Sequence, residues 1–419
     1  MMARLLYTLA VFALLPWAML HLLWRARRQA RYLQHWNERF GFFGAAPTQP
    51  VIWIHAVSVG ETRAAQTLVV ALRERYPDHR ILISHMTPTG RHTSEQLFGD
   101  TVDRCYLPYD TPWAVARFLR HYRPRVGVIM ETEIWPNLVA ACHARSIPLL
   151  LVNARMSARS ARRYRRFPQL TRGTLRALAA ISAIGADDAR RLSELGANDV
   201  RVFGNLKFDI DPPAALLQLG AAFRARFGGR PVFLCASTRD GEEAVILDAW
   251  RSVAPKNSLL VLVPRHPQRF AAVAALAAAA GYTVGRRSDD AALAANVNVW
   301  IGDSMGEMYA YYVAADVAFI GGSLLDYGSQ NLIEPCAVGT PLLIGPSTYN
   351  FPDTARAALA CGAALAVGDA SELASAAAAL LENIARRRAM GVAGTAFAAC
   401  HRGATGKTLA LIEGLMRAG

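Results

Sequence analysis

The sequence predicts an α/β protein made of two Rossmann-like halves facing across a cleft, preceded by a transmembrane helix. Three observations predict it. From Val51 onward, short apolar runs alternate with helical patterns, the signature of a parallel sheet wound on both faces. The alternation breaks at Asn205 to Pro213, where Asp209-Ile-Asp-Pro-Pro213 reads as a linker, and then resumes. Ahead of both sets, Leu5 to Trp24 carries no charged residue. At 419 residues the chain is long enough for two domains.

Residues 1–24 read as a membrane anchor. Twenty helical residues span about 30 Å, the thickness of the hydrocarbon core. Arg25, Arg27, Arg28 and Arg31 follow directly, where a cleaved signal peptide would need small residues. Only Arg4 precedes the span, so the positive-inside rule puts the bulk of a single-pass protein in the cytoplasm. Residues 25–47 are basic, with Tyr32, Trp36 and Phe40 at helical spacing and Phe42 and Phe43 after them. That spacing predicts a helix, either on the membrane surface or packed on the protein.

The first half, 48–208, opens on Val51-Ile-Trp-Ile-His55, a buried strand. Ser58-Val59-Gly60-Glu61 then turns into a helix with Ala64, Ala65, Leu68, Val69 and Leu72 on one face. Ligands of such sheets bind beyond strand carboxyl ends, so Glu61 stands where a site belongs. Ser-x-x-Glu is equally a capping box, in which the carboxylate bonds the N-cap amide. Further strands are expected at Ile81–Ser84, Val126–Met130, Leu149–Val152, Ala180–Ile184 and Val200–Phe203. Glu131 and Glu133 follow the Val126 strand and share one face if it continues. Arg155 to Arg176 holds eight arginines and no acid, a single-sign run that suits phosphate or an anionic membrane.

After a linker at 209–215, the second half, 216–419, predicts strands at Val232–Cys235, Leu259–Val263, Val297–Ile301, Val317–Ile320 and Pro341–Ile344. Pro264 and Arg265 follow one strand; the Arg265 fork suits a phosphate or carboxylate. Ser304-Met305-Gly306-Glu307 follows another. Gly321 to Glu334 is a glycine-rich loop entering a helix, whose amides and dipole suit an anion. Ser58/Glu61, Ser304/Glu307 and Asn331/Glu334 all fit N-cap-x-x-Glu, so spacing alone leaves capping and chemistry open at all three.

The formal net charge is +14, nearly all from arginine, with lysine only at 207, 256 and 407. This suits a membrane or a phosphorylated lipid; no nucleic-acid recognition motif accompanies it. The six cysteines never occur as C-x-x-C and the ten histidines lack ligand spacing, so no metal or cofactor site is expected. Asp209-Ile-Asp211 matches the D-x-D of metal-dependent sugar transferases, but its linker position reads as a turn.

Taken together, these segments resemble the Kdo (3-deoxy-D-manno-octulosonic acid) transferases of lipopolysaccharide inner-core synthesis, over essentially the whole chain. The resemblance rests on the anchor and on His55-Ala-Val-Ser-Val-Gly-Glu61, Glu131-Thr-Glu-Ile-Trp-Pro-Asn137, Asn153-Ala-Arg-Met-Ser157 and Gly204-Asn-Leu-Lys-Phe-Asp209. The second half adds Val263-Pro-Arg-His-Pro267, Gly302-Asp-Ser-Met-Gly-Glu307, Asn331-Leu-Ile-Glu334, Gly345-Pro346 and Asn350-Phe351. It implies a metal-independent GT-B glycosyltransferase at the inner membrane, without a cofactor. The implied donor is CMP-Kdo and the implied acceptor is the lipid A precursor, bound by the first half. It implies Glu61 as general base, Glu131 as a second acid of the acceptor pocket, and CMP contacts from Pro264, Arg265, Met305, Gly306, Glu307, Asn331, Leu332, Ile333 and Glu334. Two departures stand out: Gly328-Ser329-Gln330-Asn331 replaces the usual Gly-Gly-His-Asn, and Arg239 stands where the family often has histidine. A nucleotide-sugar epimerase of the same fold would explain the carboxylates but needs no anchor; a non-catalytic nucleotide-binding module would not need carboxylates in the other half.

Overall fold

Fourteen strands among the described residues form two all-parallel sheets of seven. The computed structural model describes residues 2–209, 211–289 and 293–418. The first sheet comprises β1 (Val51–His55), β2 (Arg80–His85), β3 (Asp103–Tyr106), β4 (Pro124–Met130), β5 (Leu149–Ala154), β6 (Ala180–Ala183) and β7 (Val200–Val202), in the order 3-2-1-4-5-6-7. The second comprises β8 (Val232–Thr238), β9 (Leu259–Pro264), β10 (Val284–Arg286), β11 (Val299–Ile301), β12 (Val317–Ile320), β13 (Leu342–Ile344) and β14 (Ala364–Ala366), in the order 10-11-9-8-12-13-14. The central strands are buried on both faces, as β1 with five buried residues of five, because helices cover both sides. Strand order reverses beside β1 and β4 in one sheet and beside β8 and β12 in the other, which creates a ligand crevice at each switch point.

Every strand the sequence predicts is present. Three more, β3, β10 and β14, lie at sheet edges. Edge strands bury less, so Asp103-Arg-Cys-Tyr106 and Val284-Gly-Arg286 lack the apolar run that marks a central strand.

The chain divides into one unit of residues 1–210 with 401–419 and another of 211–400. The second half, expected to run to residue 419, ends at Cys400. Instead the last helix, Ala404–Ala418, packs on the first unit, because Ala404 and Ile412 complete the apolar cluster of Ile52, Ile54, Leu68 and Val128. Asp209 ties it down, its two carboxylate oxygens accepting from the Gly403 and Thr405 amides. That role as the cap of an incoming helix explains one acid of the D-x-D pair. Ile210, within the expected linker, lies outside the described residues. The linker is shorter than expected, since a helix starts at Ala214.

The N-terminal helix runs Met2–Arg28, longer than the expected span, and is the one helix among the described residues long and apolar enough to cross a membrane. No single helix follows it. Two short 3-10 turns, Ala30–Leu33 and Trp36–Phe40, are broken by His35 at φ 54. Of the two readings of this segment, packing on the protein accounts for much of it. Tyr32 is buried, Phe40 meets Tyr109 and Trp113, and Phe43 meets Phe118 and Tyr122, while Trp36 and Phe42 stay exposed.

Candidate functional site

The switch point of the first sheet gathers three carboxylates. The turn after β1 brings Glu61 there, and the turn after the adjacent β4 brings Glu131 and Glu133. Ser58 caps the helix Val59–Ala64, its Oγ accepting from the Glu61 amide at 3.4 Å. The Glu61 side chain turns back, accepting from the Val57 amide at 2.8 Å and from Ser58 Oγ at 2.8 Å. This resembles a capping box, except that the amide bonded is Val57, one residue before the N-cap. Glu61 is only 7% exposed. Burial pushes its pKa up to about 7; the Val57 and Ser58 bonds oppose that rise, and the charges of Glu131 and Glu133 add to it. Such a carboxylate is poised to take or give a proton near neutrality.

Glu131 does not continue the strand. It sits at φ 59, a left-handed conformation that ends β4 and turns the chain. Its Oε1 accepts from Lys207 Nζ at 3.0 Å. Glu133 is raised mainly by burial and next by Glu131. The sequence assigns Lys207 no role beyond its place in Gly204-Asn-Leu-Lys-Phe-Asp209. Asn205 holds the turn that carries it by accepting from the Lys207 amide, and Asn153, itself at φ 57, accepts from the Leu206 amide. Two asparagines far apart in sequence thus bring one ammonium to the acids. Behind them His55 and His85 are buried with pKa values lowered by burial to about 4 and about 3, so both are neutral framework.

The second unit has a cationic counterpart. Arg265 follows β9, and its amide donates to Thr238 O at the end of the neighbouring β8, leaving the side chain exposed. Arg239 lies over the Tyr327 ring, 4.7 Å to the centroid, and its Nη1 is 2.9 Å from His266 Nε2. Burial and the nearby guanidinium groups of Arg239, Arg265 and Arg269 lower the His266 pKa. Arg269 is neutralised by Glu243, which leaves Arg239 and Arg265 as cations for an anion.

Glu242 organises the glycine-rich loop. Fully buried, it accepts from the amides of Arg239, Gly322 and Leu324. The loop presses close to β8: a Cβ on Gly321 would lie 2.5 Å from Ser237 O, so only glycine fits. Glu242 and Glu243 were also missed by the sequence reading, because helix-start acids look like ordinary dipole partners.

The three N-cap-x-x-Glu segments turn out differently from one another. Ser304 Oγ donates to Glu307 Oε2 at 2.6 Å, but Glu307 precedes the helix Met308–Ala314 and is forked by Arg287 at 3.1 and 3.2 Å. Asn331 accepts from the Ile333 amide and donates to Glu334 at 3.1 Å. Capping therefore explains Ser58/Glu61 best. Met305 is exposed on a turn closed by Gly306 at φ 82. Pro264, Leu332 and Ile333 are buried. The helix entered by the loop, Ile333–Ala337, is five residues long and contributes little dipole.

Ser329 sits in that loop at φ 65 and is 1% exposed. A left-handed residue with a Cβ costs about 1–2 kcal/mol. Ser329→Gly should therefore raise the melting temperature by the equivalent of ~1 kcal/mol without weakening nucleotide binding. A lower melting temperature would mean that the buried hydroxyl outweighs the backbone strain.

Residues 34–210 match the family model described as 3-deoxy-D-manno-octulosonic-acid transferase (kdotransferase). The chain is 46% identical to the 3-deoxy-D-manno-octulosonic acid transferase of Bordetella pertussis, over 98% of this chain and 99% of that one. It is 36% identical to the enzyme of the same name from Haemophilus influenzae, over 92% of each. In fold it is similar to the UDP-GlcNAc 2-epimerase of Neisseria meningitidis, with a TM-score of 0.59 and 15% identity over 88% of this chain and 100% of that one.

Proposed function

This chain belongs to the Kdo transferase family and is a GT-B glycosyltransferase, and from that premise we propose that it transfers Kdo from CMP-Kdo to the lipid A precursor with Glu61 as base. The observation that carries the proposal is the buried Glu61 carboxylate, raised to about 7 and grouped with Glu131 and Glu133 at a sheet's switch point. A sugar hydroxyl of the acceptor is a poor nucleophile, and Glu61 takes its proton as the new glycosidic bond forms. Val57 and Ser58 fix the carboxylate for this. Lys207 neutralises Glu131, so the acidic group carries less charge than three free carboxylates would.

In the second unit Arg265 and Arg239 meet the CMP phosphate as the bond to Kdo breaks and negative charge grows there. Pro264, Met305 to Glu307 and Asn331 to Glu334 line the nucleotide. Gln330, in place of the usual histidine, keeps a hydrogen-bonding group without a charge. The chain works at the cytoplasmic face of the inner membrane. Incubating membranes with CMP-Kdo and a lipid A precursor, then weighing the lipid, tests the reading; an unchanged lipid mass overturns it. An epimerase would instead alter a free nucleotide sugar and leave the lipid untouched.

The reaction as proposed needs no metal. Asp209 spends both carboxylate oxygens on the Gly403 and Thr405 amides, so it has little left for a cation. Turnover should survive a chelator at millimolar concentration. Loss of activity with rescue by magnesium or manganese would return Asp209 and Asp211 to the site.

A further inference from the structure

We propose that the N-terminal helix does not cross the membrane but lies in the plane of one leaflet, held along the face of the first unit. Two hydrogen bonds near its start lead to this. Thr8 Oγ1 donates to Asn137 Oδ1 at 3.0 Å, and the Tyr7 hydroxyl donates to Asp110. Both partners belong to the body of the first unit. Asp110 is buried, accepts from the Asn137 and Leu138 amides at 2.9 and 2.8 Å, and so caps the helix Pro136–His143.

A spanning helix cannot make these bonds. From Tyr7 to Arg28 the helix covers about 32 Å, enough to carry residue 7 across a hydrocarbon core of about 30 Å. Tyr7 and Thr8 would then stand on the opposite side of the bilayer from Asp110 and Asn137. Yet the other end of the helix is also tied to the first unit, with Leu22 buried and Arg25 over the Tyr32 ring at 4.5 Å.

Burial along the helix agrees. Ala3, Tyr7, Thr8, Val11, Leu15, Ala18, Leu22 and Ala26 are the half-buried or buried positions, and, with Thr8 beside Tyr7, steps of three and four put them on one face. Leu5, Leu9, Trp17 and Leu20 on the rest of the circumference are 57–66% exposed, with Leu5 at 60%, Leu9 at 57%, Trp17 at 64% and Leu20 at 66%. That apolar surface needs lipid. Trp17, His21 and Trp24 stack at 5.3 and 5.8 Å, a ladder of rings with polar edges suited to the headgroup boundary.

Charge names the partner as an anionic leaflet. The helix Pro168–Arg176 packs beside the N-terminal helix, and it belongs to the stretch whose eight arginines, 155 to 176, are all exposed. An in-plane apolar helix flanked by exposed arginines is the form of a monotopic anchor. The positive-inside rule behind a single pass counts charges alone and does not weigh the polar partners of Tyr7 and Thr8.

Two experiments on the full chain in its own membrane test this. Met2→Cys, with the exposed Cys361 and Cys400 changed to serine, is probed with an impermeant maleimide in spheroplasts. Labelling only after lysis is expected; labelling of unlysed spheroplasts would overturn the proposal. Thr8→Cys combined with Asn137→Cys should form a disulfide in native membranes on mild oxidation. Failure to cross-link in a protein that still labels from the cytoplasmic side would also overturn it, since the helix would then not be docked.

Discussion

Replacing Glu61 by glutamine is expected to lower turnover by roughly two to four orders of magnitude, the usual worth of a positioned base, while the protein stays folded. Glutamine keeps both contacts of the carboxylate. Its carbonyl accepts from the Val57 amide, and its amino group donates to Ser58 Oγ, which can reverse its own hydrogen bond. Capping alone therefore predicts no loss of activity, and catalysis predicts a large one. CMP affinity should hold, since the segments proposed to hold the nucleotide lie in the other unit.

The pH dependence adds a second readout. Glu61 must be ionised to act as base, so wild-type turnover should rise with pH through about 7. The sign for stability is opposite. The folded carboxyl is raised from 4.5 to about 7, so the unfolded chain loses this proton first. Its contribution to stability is full below 4.5 and is lost as pH rises to about 7. The glutamine variant lacks that loss, so its melting temperature should gain on the wild type across this window. Wild-type-like turnover in the folded variant would leave Glu61 a cap and make Glu131 the next residue to test.

The sheets were legible because a central parallel strand is buried on both faces and reads as an unbroken apolar run, as in Val51 to His55. Edge strands such as β3 and the return of the last helix were not, since both depend on partners remote in sequence. The same contrast holds at the site. Glu61 and Glu131 each follow a strong strand, so position alone singled them out. Lys207 arrives through Asn153 and Asn205, whose buried bonds no local pattern announces. The aromatic spacing of Tyr32, Trp36 and Phe40 misled for a related reason. Helical periodicity was present, but His35 in a left-handed conformation breaks the segment, and the rings that pack do so on Tyr109 and Trp113.

Arg265→Ala is expected to weaken CMP binding and turnover together, by about ten- to a hundredfold, as the loss of one charge-assisted hydrogen bond worth roughly 1.5–3 kcal/mol. The backbone of Arg265 is fixed by its bond to Thr238 O, whereas its side chain is exposed and carries no structural load comparable to that of Arg269 on Glu243. Truncation should therefore cost binding without unfolding the unit. Lysine restores the charge but not the planar fork, so Arg265→Lys should recover part of the loss. Arg239 stays in place in both variants, and its stacking on Tyr327 holds a second cation near the end of β8. For that reason the loss should be graded and should deepen when Arg239→Ala is added. Titration of CMP by calorimetry, alongside product formation, reads both effects. Unchanged CMP affinity in Arg265→Ala would remove this arginine from the donor site and leave the phosphate to Arg239.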